Sequence, residues 1–132
     1  MPGGGPAEAA DAHASQRRGT LVTDMTPDTI ADGLRAQLCA RTYAILHAHA
    51  VEVLLASDDE IVAAMPLGWD RLDLVVEPSG AVALAALIAG RDGVGGLRIG
   101  VILSGGNVDL DRLPWQEPRF QRALPAMAGG IA

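Results

Sequence analysis

Apolar residues in this chain fall in short clusters divided by glycine-rich or acidic breaks, and the spacing inside each cluster predicts the element it builds. Val51 to Ala56 is a short, mostly apolar run, broken by Glu52, that includes β-branched residues, which predicts a buried strand. Ser57-Asp58-Asp59-Glu60 follows at once. This is a capping box, with the serine accepting from the glutamate amide while the glutamate reaches back to the serine amide. Acids in a first turn also suit the helix dipole, so this run reads as a helix start rather than a catalytic carboxylate pair. Ile61, Val62, Met65, Trp69 and Leu72 continue one apolar face, and Pro66 is expected to kink the helix. Leu74 to Glu77 leads into Pro78-Ser79-Gly80, which opens an alanine-rich helix that stops at Gly90. A glycine-rich turn over 91–97 precedes Ile99 to Leu103, expected to be a second buried strand, and Ser104-Gly105-Gly106-Asn107 sits at its end.

Upstream, Thr26-Pro27-Asp28 has the form of a helix start, with Ile30 and Leu34 on one face and Gly33 limiting the length. Tyr43, Ile45 and Leu46 among alanines predict a helix over 41–50. Residues 1–19 open with Gly3-Gly4-Gly5 between two prolines and are expected to be a flexible arm, with a short helix over Ala7 to Ser15 as the alternative. The body of the domain is expected over 20–113, with a loosely ordered tail over 114–132.

The resulting order is αβααβ, an α/β arrangement of layers. Two strands cannot make a self-sufficient parallel sheet, so the pattern reads as part of a larger one. The chain has 132 residues, 49% of them apolar, and a mean hydropathy of +0.24, enough for a core. A net charge of −6 and scattered arginines argue against nucleic acid, which requires clustered cations. The first twenty residues hold no apolar signal-like stretch, and the apolar residues after Ser79 are too few to span a bilayer that needs about 20, so no membrane role is expected. Cys39 is the single cysteine, which excludes an internal disulfide and fits a cytoplasmic setting; it reads as a small core residue. His47 and His49 lie two apart and would face different ways on a helix, so they do not form a metal pair. All ten basic residues are arginine. With no lysine, this chain offers no side-chain amine for a Schiff base.

Ligands of open α/β sheets collect beyond the C-terminal ends of strands, where Ser104-Gly105-Gly106-Asn107 is expected. Paired glycines let backbone approach a flat ligand, and the serine supplies a hydroxyl. Four segments, TPDTIADGLR (26–35), SDDEIVAAM (57–65), VVEPSGAVALAAL (75–87) and GVILSGGNVDLDRL (100–113), resemble in order and spacing the C-terminal part of fold-type II, pyridoxal-phosphate dependent threonine/serine dehydratases and serine racemases. The match is dense over 26–113. The resemblance implies an incomplete three-layer αβα segment of the large domain of such enzymes, a fold like that of the tryptophan synthase beta chain.

It also implies roles. The family's LSGGN serine bonds the pyridine nitrogen of the cofactor, which here would be Ser104; Gly105, Gly106 and Asn107 would shape the pocket wall, and Glu77 would lie near the ring. PAEAADAHAS (6–15) is similar to a family segment, E-P-x-x-A-D-D-A-x-x-S, whose glutamate, alanine carbonyl and aspartate hold a divalent cation. Ala9 and Asp11 match, but Gly5 takes the glutamate position, and losing one of two anionic ligands counts against a hard-cation site. The family's Schiff-base lysine, substrate-carboxylate loop and tetraglycine phosphate loop lie in a preceding stretch, so no catalytic residue is assigned here. The expected function is therefore part of an ammonia-lyase that converts threonine or serine to a 2-oxo acid and ammonia, inactive alone or completed by another chain. The alternative is a non-catalytic module that pairs with a full-length homologue through its exposed sheet edge and apolar helix faces.

Overall fold

The computed structural model describes residues 2–90 and 96–121. Among them, β1 (Gly3–Pro6) pairs in parallel with β2 (Val53–Ala56), in the register Gly3↔Val53 to Pro6↔Ala56. The crossover between the two carries α1 (Asp11–Arg18) and α2 (Ala40–Ala48), and α3 (Asp58–Leu72) and α4 (Pro78–Ile88) follow β2. Helix α4 packs on both strands and on α3, while α1 packs on β2. The result is a partial α/β segment with a small parallel sheet, in keeping with the expected fold class.

The expected arm over 1–19 is instead a strand, a 3-10 turn (Ala7–Ala9) and helix α1. Three glycines have little strand propensity, so the ordering comes from tertiary contact. A Cβ on Gly4 would lie 2.8 Å from the Ala83 Cα and 2.9 Å from its nitrogen, so β1 and α4 meet at backbone distance. The core beneath is built from small residues: Ala56, Ala64, Ala81, Ala85 and Ala86 are buried with Ile61, Met65 and Val82.

Helix α3 starts at the expected capping box. The Ser57 amide donates to Glu60 Oε2 at 2.8 Å and the Glu60 amide to Ser57 Oγ at 3.3 Å. Pro66 has no amide to donate, yet the helix continues to Leu72 and ends at Asp73 in the left-handed region. Helix α4 follows its expected limits, with Pro78 at the first turn and Gly90 at φ +68° just beyond the end.

Four other expectations are corrected. No α-helix follows Thr26-Pro27-Asp28; only a 3-10 turn forms, at Asp32–Leu34. The polar groups of Thr29 and Ile30 are engaged elsewhere. The Thr29 hydroxyl donates to Asp58 Oδ1, the Ile30 amide to Asp58 Oδ2 at 2.9 Å, and Arg35 Nε donates to the Thr29 carbonyl. Ile99 to Leu103 joins no ladder among the described residues, and Ile102 is 77% exposed. A strand needs a backbone partner as well as β-branched side chains. Here the run instead borders a cavity of about 330 Å³, opposite Gly3, Gly4 and Leu54. The expected tail is packed in its first part: Phe120 is buried, and Trp115 meets Trp69 edge-on at 6.1 Å. Residues 122–132, like most of the expected turn at 91–97, lie outside the described residues.

Cys39 is exposed rather than in the core. It precedes α2, where its Sγ lies 3.3 Å from Thr42 Oγ1. The Thr42 hydroxyl, by hydrogen bonding, holds the Cys39 thiol below its ordinary pKa.

Two outcomes follow. Gly4→Ala should lose about 1–3 kcal/mol in urea unfolding, because the new methyl meets helix backbone, which yields poorly. Gly100→Ala, with open space around it, should stay within about 0.5 kcal/mol. Second, a lowered thiol pKa enlarges the thiolate fraction at a given pH, so iodoacetamide should alkylate Cys39 with a midpoint below that of a free thiol, and Thr42→Val should raise that midpoint.

Candidate functional site

Three loops converge where α4 begins. The first is the Thr29–Leu34 strap, held to the start of α3 by Asp58. The strap also reaches α4: the Gly33 amide donates to Ser79 Oγ at 3.0 Å, and that hydroxyl lies 3.5 Å from Asp32 Oδ1. The second loop is Glu77-Pro78-Ser79-Gly80 itself, and the third is Ser104-Gly105-Gly106-Asn107.

The second and third loops interlock. A Cβ on Gly80 would overlap the Ser104 carbonyl oxygen, and a Cβ on Gly106 would come 3.0 Å from the Val75 carbonyl. Gly105 adopts φ +76°, a conformation that glycine takes at little cost. Its α-carbon faces the Glu77 carboxylate so closely that a Cβ would overlap it. The Glu77 amide donates to the Gly105 carbonyl at 3.3 Å, and the Asn107 amide donates to Glu77 Oε2 at 2.8 Å. The turn as a whole is exposed. Among the described residues the Ser104 hydroxyl has no hydrogen-bond partner in the protein, so it is available to a ligand.

Each residue expected at the site can now be placed. Ser104, Gly105, Gly106, Asn107 and Glu77 are brought together, although the turn ends an unpaired run rather than a ladder strand. Asp32, Gly33 and Ser79 share the rim without having been assigned a role. The signal for them was present in IADG and PSGA, but a tie across 46 positions leaves no local pattern.

Ala9 and Asp11 lie elsewhere, buried near α1. Asp11 Oδ2 accepts from the Leu38 amide at 2.6 Å, and a Cβ on Gly5 would meet Val53 Cγ1 at 3.1 Å. Among the described residues no group of three or more His, Cys, Asp or Glu side chains could hold a metal ion. One carboxylate with an oxygen committed to an amide, beside a glycine without a side-chain carboxylate, is a poor fit for a hard divalent cation.

Comparison with known proteins decides the family. A family model described as "Pyridoxal-phosphate dependent enzyme" matches residues 3–105. The chain belongs to this family. Members depend on pyridoxal phosphate. The Ser104 hydroxyl, exposed and without a protein partner among the described residues, is the group at this turn that could meet a polar atom of such a cofactor. The chain is 46% identical over 110 residues to a beta-hydroxyaspartate dehydratase of Paracoccus denitrificans, a match covering 83% of this chain and 35% of that protein. It is 38% identical to a serine racemase of Schizosaccharomyces pombe, over 81% of this chain and 33% of that one. Among solved structures, maize serine racemase superposes with a TM-score of 0.71 at 38% identity, covering 81% of this chain and 34% of that one. The chain thus spans about a third of the length of these relatives.

The buried Asp11 contact yields a prediction. Asp11→Ala should lower stability by about 1–3 kcal/mol, because it leaves the Leu38 amide unpaired. The loss should be the same in EDTA and in magnesium, as read by chemical unfolding.

Proposed function

We propose that this chain supplies the pyridine-nitrogen end of the cofactor pocket in an ammonia-lyase acting on β-hydroxy-α-amino acids such as threonine and serine. The observation that carries the reading is the free Ser104 hydroxyl on a glycine turn locked to Glu77. It is supported by the 46% identity to a beta-hydroxyaspartate dehydratase and by serine racemases among the relatives.

Bound pyridoxal phosphate would supply electron withdrawal at the substrate's α-carbon. Ser104 would donate its hydroxyl hydrogen to the ring nitrogen. A hydroxyl is far too weak an acid to give that proton up, whereas an aspartate there would keep the nitrogen protonated. By leaving it neutral, Ser104 would moderate electron withdrawal, which would suit loss of a β-hydroxyl better than exchange of the amino group. Gly105 and Gly106 would let the turn pack against Glu77 and Val75, which sets where Ser104 stands. The amine for the Schiff base would come from outside these 132 residues, which contain no lysine. A cytoplasmic setting is part of the proposal, on the single cysteine.

A second reading is a pairing module without catalysis. It draws on the apolar side chains of Leu97, Ile99 and Ile102, which are 68%, 45% and 77% exposed.

One experiment separates the two. The matching third of the Paracoccus dehydratase is replaced by this chain, and 2-oxo acid and ammonia are measured from 3-hydroxyaspartate, threonine and serine. The hybrid should take up pyridoxal phosphate and turn over at least one of them, and Ser104→Ala should cut turnover by about 10–100-fold, the equivalent of one hydrogen bond to a charged or strongly polar partner. A folded hybrid that takes up no cofactor would sink the lyase reading and favour the module. The chain alone should form no 2-oxo acid.

A further inference from the structure

Glu77 occupies the position before the first turn of α4, where a side chain ordinarily caps its own helix, yet it makes no side-chain cap. Its carboxylate turns outward to the Ser104–Asn107 loop. Oε2 accepts from the Asn107 amide at 2.8 Å, and the carboxylate rests on the Gly105 α-carbon. On the other side of the same loop, the Ser104 carbonyl lies on Gly80 with no room for a Cβ. Ser104 is thus bracketed between the first turn of α4 and a hydrogen bond that Glu77 makes three residues further on. We infer that Glu77 is a positioning residue, fixing where the Ser104 hydroxyl leaves the turn by holding the Asn107 amide, rather than a group that itself touches the cofactor.

Chemistry favours this assignment. Unless it is held, a turn with two consecutive glycines samples many backbone conformations, and a hydroxyl carried on it would have no fixed direction. Glu77 and Gly80 are three residues apart, so one short stretch of rigid helix start grips both ends of the turn. Reach matters as well as charge. Aspartate is one methylene shorter and would draw the carboxylate back, whereas glutamine keeps an oxygen at the same distance.

The inference rests on the reading of Ser104 as the cofactor-facing hydroxyl, but its test uses no cofactor, so either can fail alone. Amide hydrogen exchange is followed by NMR in the full chain and in Glu77→Ala, Glu77→Asp and Glu77→Gln. Asn107 should exchange about tenfold faster in the Ala and Asp variants, a modest figure because the bond is exposed, and the Gln variant should recover most of the protection. Met65, inside α3, should be unchanged throughout. Unaltered exchange at Asn107 in Glu77→Ala would overturn the inference. So would an equal loss at Met65, which would mean a general loss of stability, or failure of glutamine to restore what aspartate loses.

Discussion

The backbone-level contact between α4 and the strands sets the position of everything else in this molecule. Gly4 presents no side chain to Ala83, and α4 in turn buries Ala81, Ala85 and Ala86, so helix and sheet approach more closely than larger residues would allow. Alanines remove little apolar area each, and the contact gains from close packing of many atoms rather than from a few large side chains. Its geometric consequence is greater than its energy. With the axis of α4 fixed against β1 and β2, the first turn of the helix is presented at a defined height, and the Ser104–Asn107 turn docks on that first turn.

The acidic balance of the chain has a structural use beyond solubility. Asp58 accepts from Thr29 and Ile30, Asp11 from Leu38, Glu60 from Ser57, and Glu77 from Asn107. Each partner is an amide or hydroxyl in an irregular segment or at a helix start, where ladder and helix bonds are not available. Carboxylates therefore do for the loops what regular hydrogen bonding does for the helices. Each such bond has a charged acceptor and contributes more than a neutral one, though exposure reduces the gain at Asn107.

Elements whose causes are local could be read from the sequence, and those that depend on distant partners could not. The capping box at Ser57, the Pro78 start and Gly90 stop of α4, and the apolar run of β2 each depend on neighbours within a few residues. β1 escaped because a glycine run becomes a strand only when Val53 to Ala56 lies beside it, some fifty positions away. Ile99 to Leu103 erred in the other direction, having strand-like side chains but no ladder. Thr26-Pro27-Asp28 looked like a helix start because the competing acceptor, Asp58, lies about thirty residues on. Cys39 was assigned to the core on residue type, but it falls just ahead of an exposed helix start. At the site, family resemblance named Glu77 and Ser104 together. Only the geometry tied the carboxylate to the Asn107 amide.

Glu77 also shows how a break in a local rule can mark a site. Asp, Asn, Ser or Thr in its place would cap α4 and stabilise it by about 1 kcal/mol relative to a residue that does not cap. The glutamate side chain is too long to fold back comfortably on its own helix and long enough to cross to a neighbouring loop. Gly105 and Gly106 break a second rule, since both weaken the regularity of an extended segment. The two departures fit one another: the space left by the missing Cβ of Gly105 is the space that the Glu77 carboxylate fills. Neither residue is well chosen for its own element, and each is well chosen for the other. Local preference has yielded at both positions to the same requirement, a fixed origin for one serine hydroxyl.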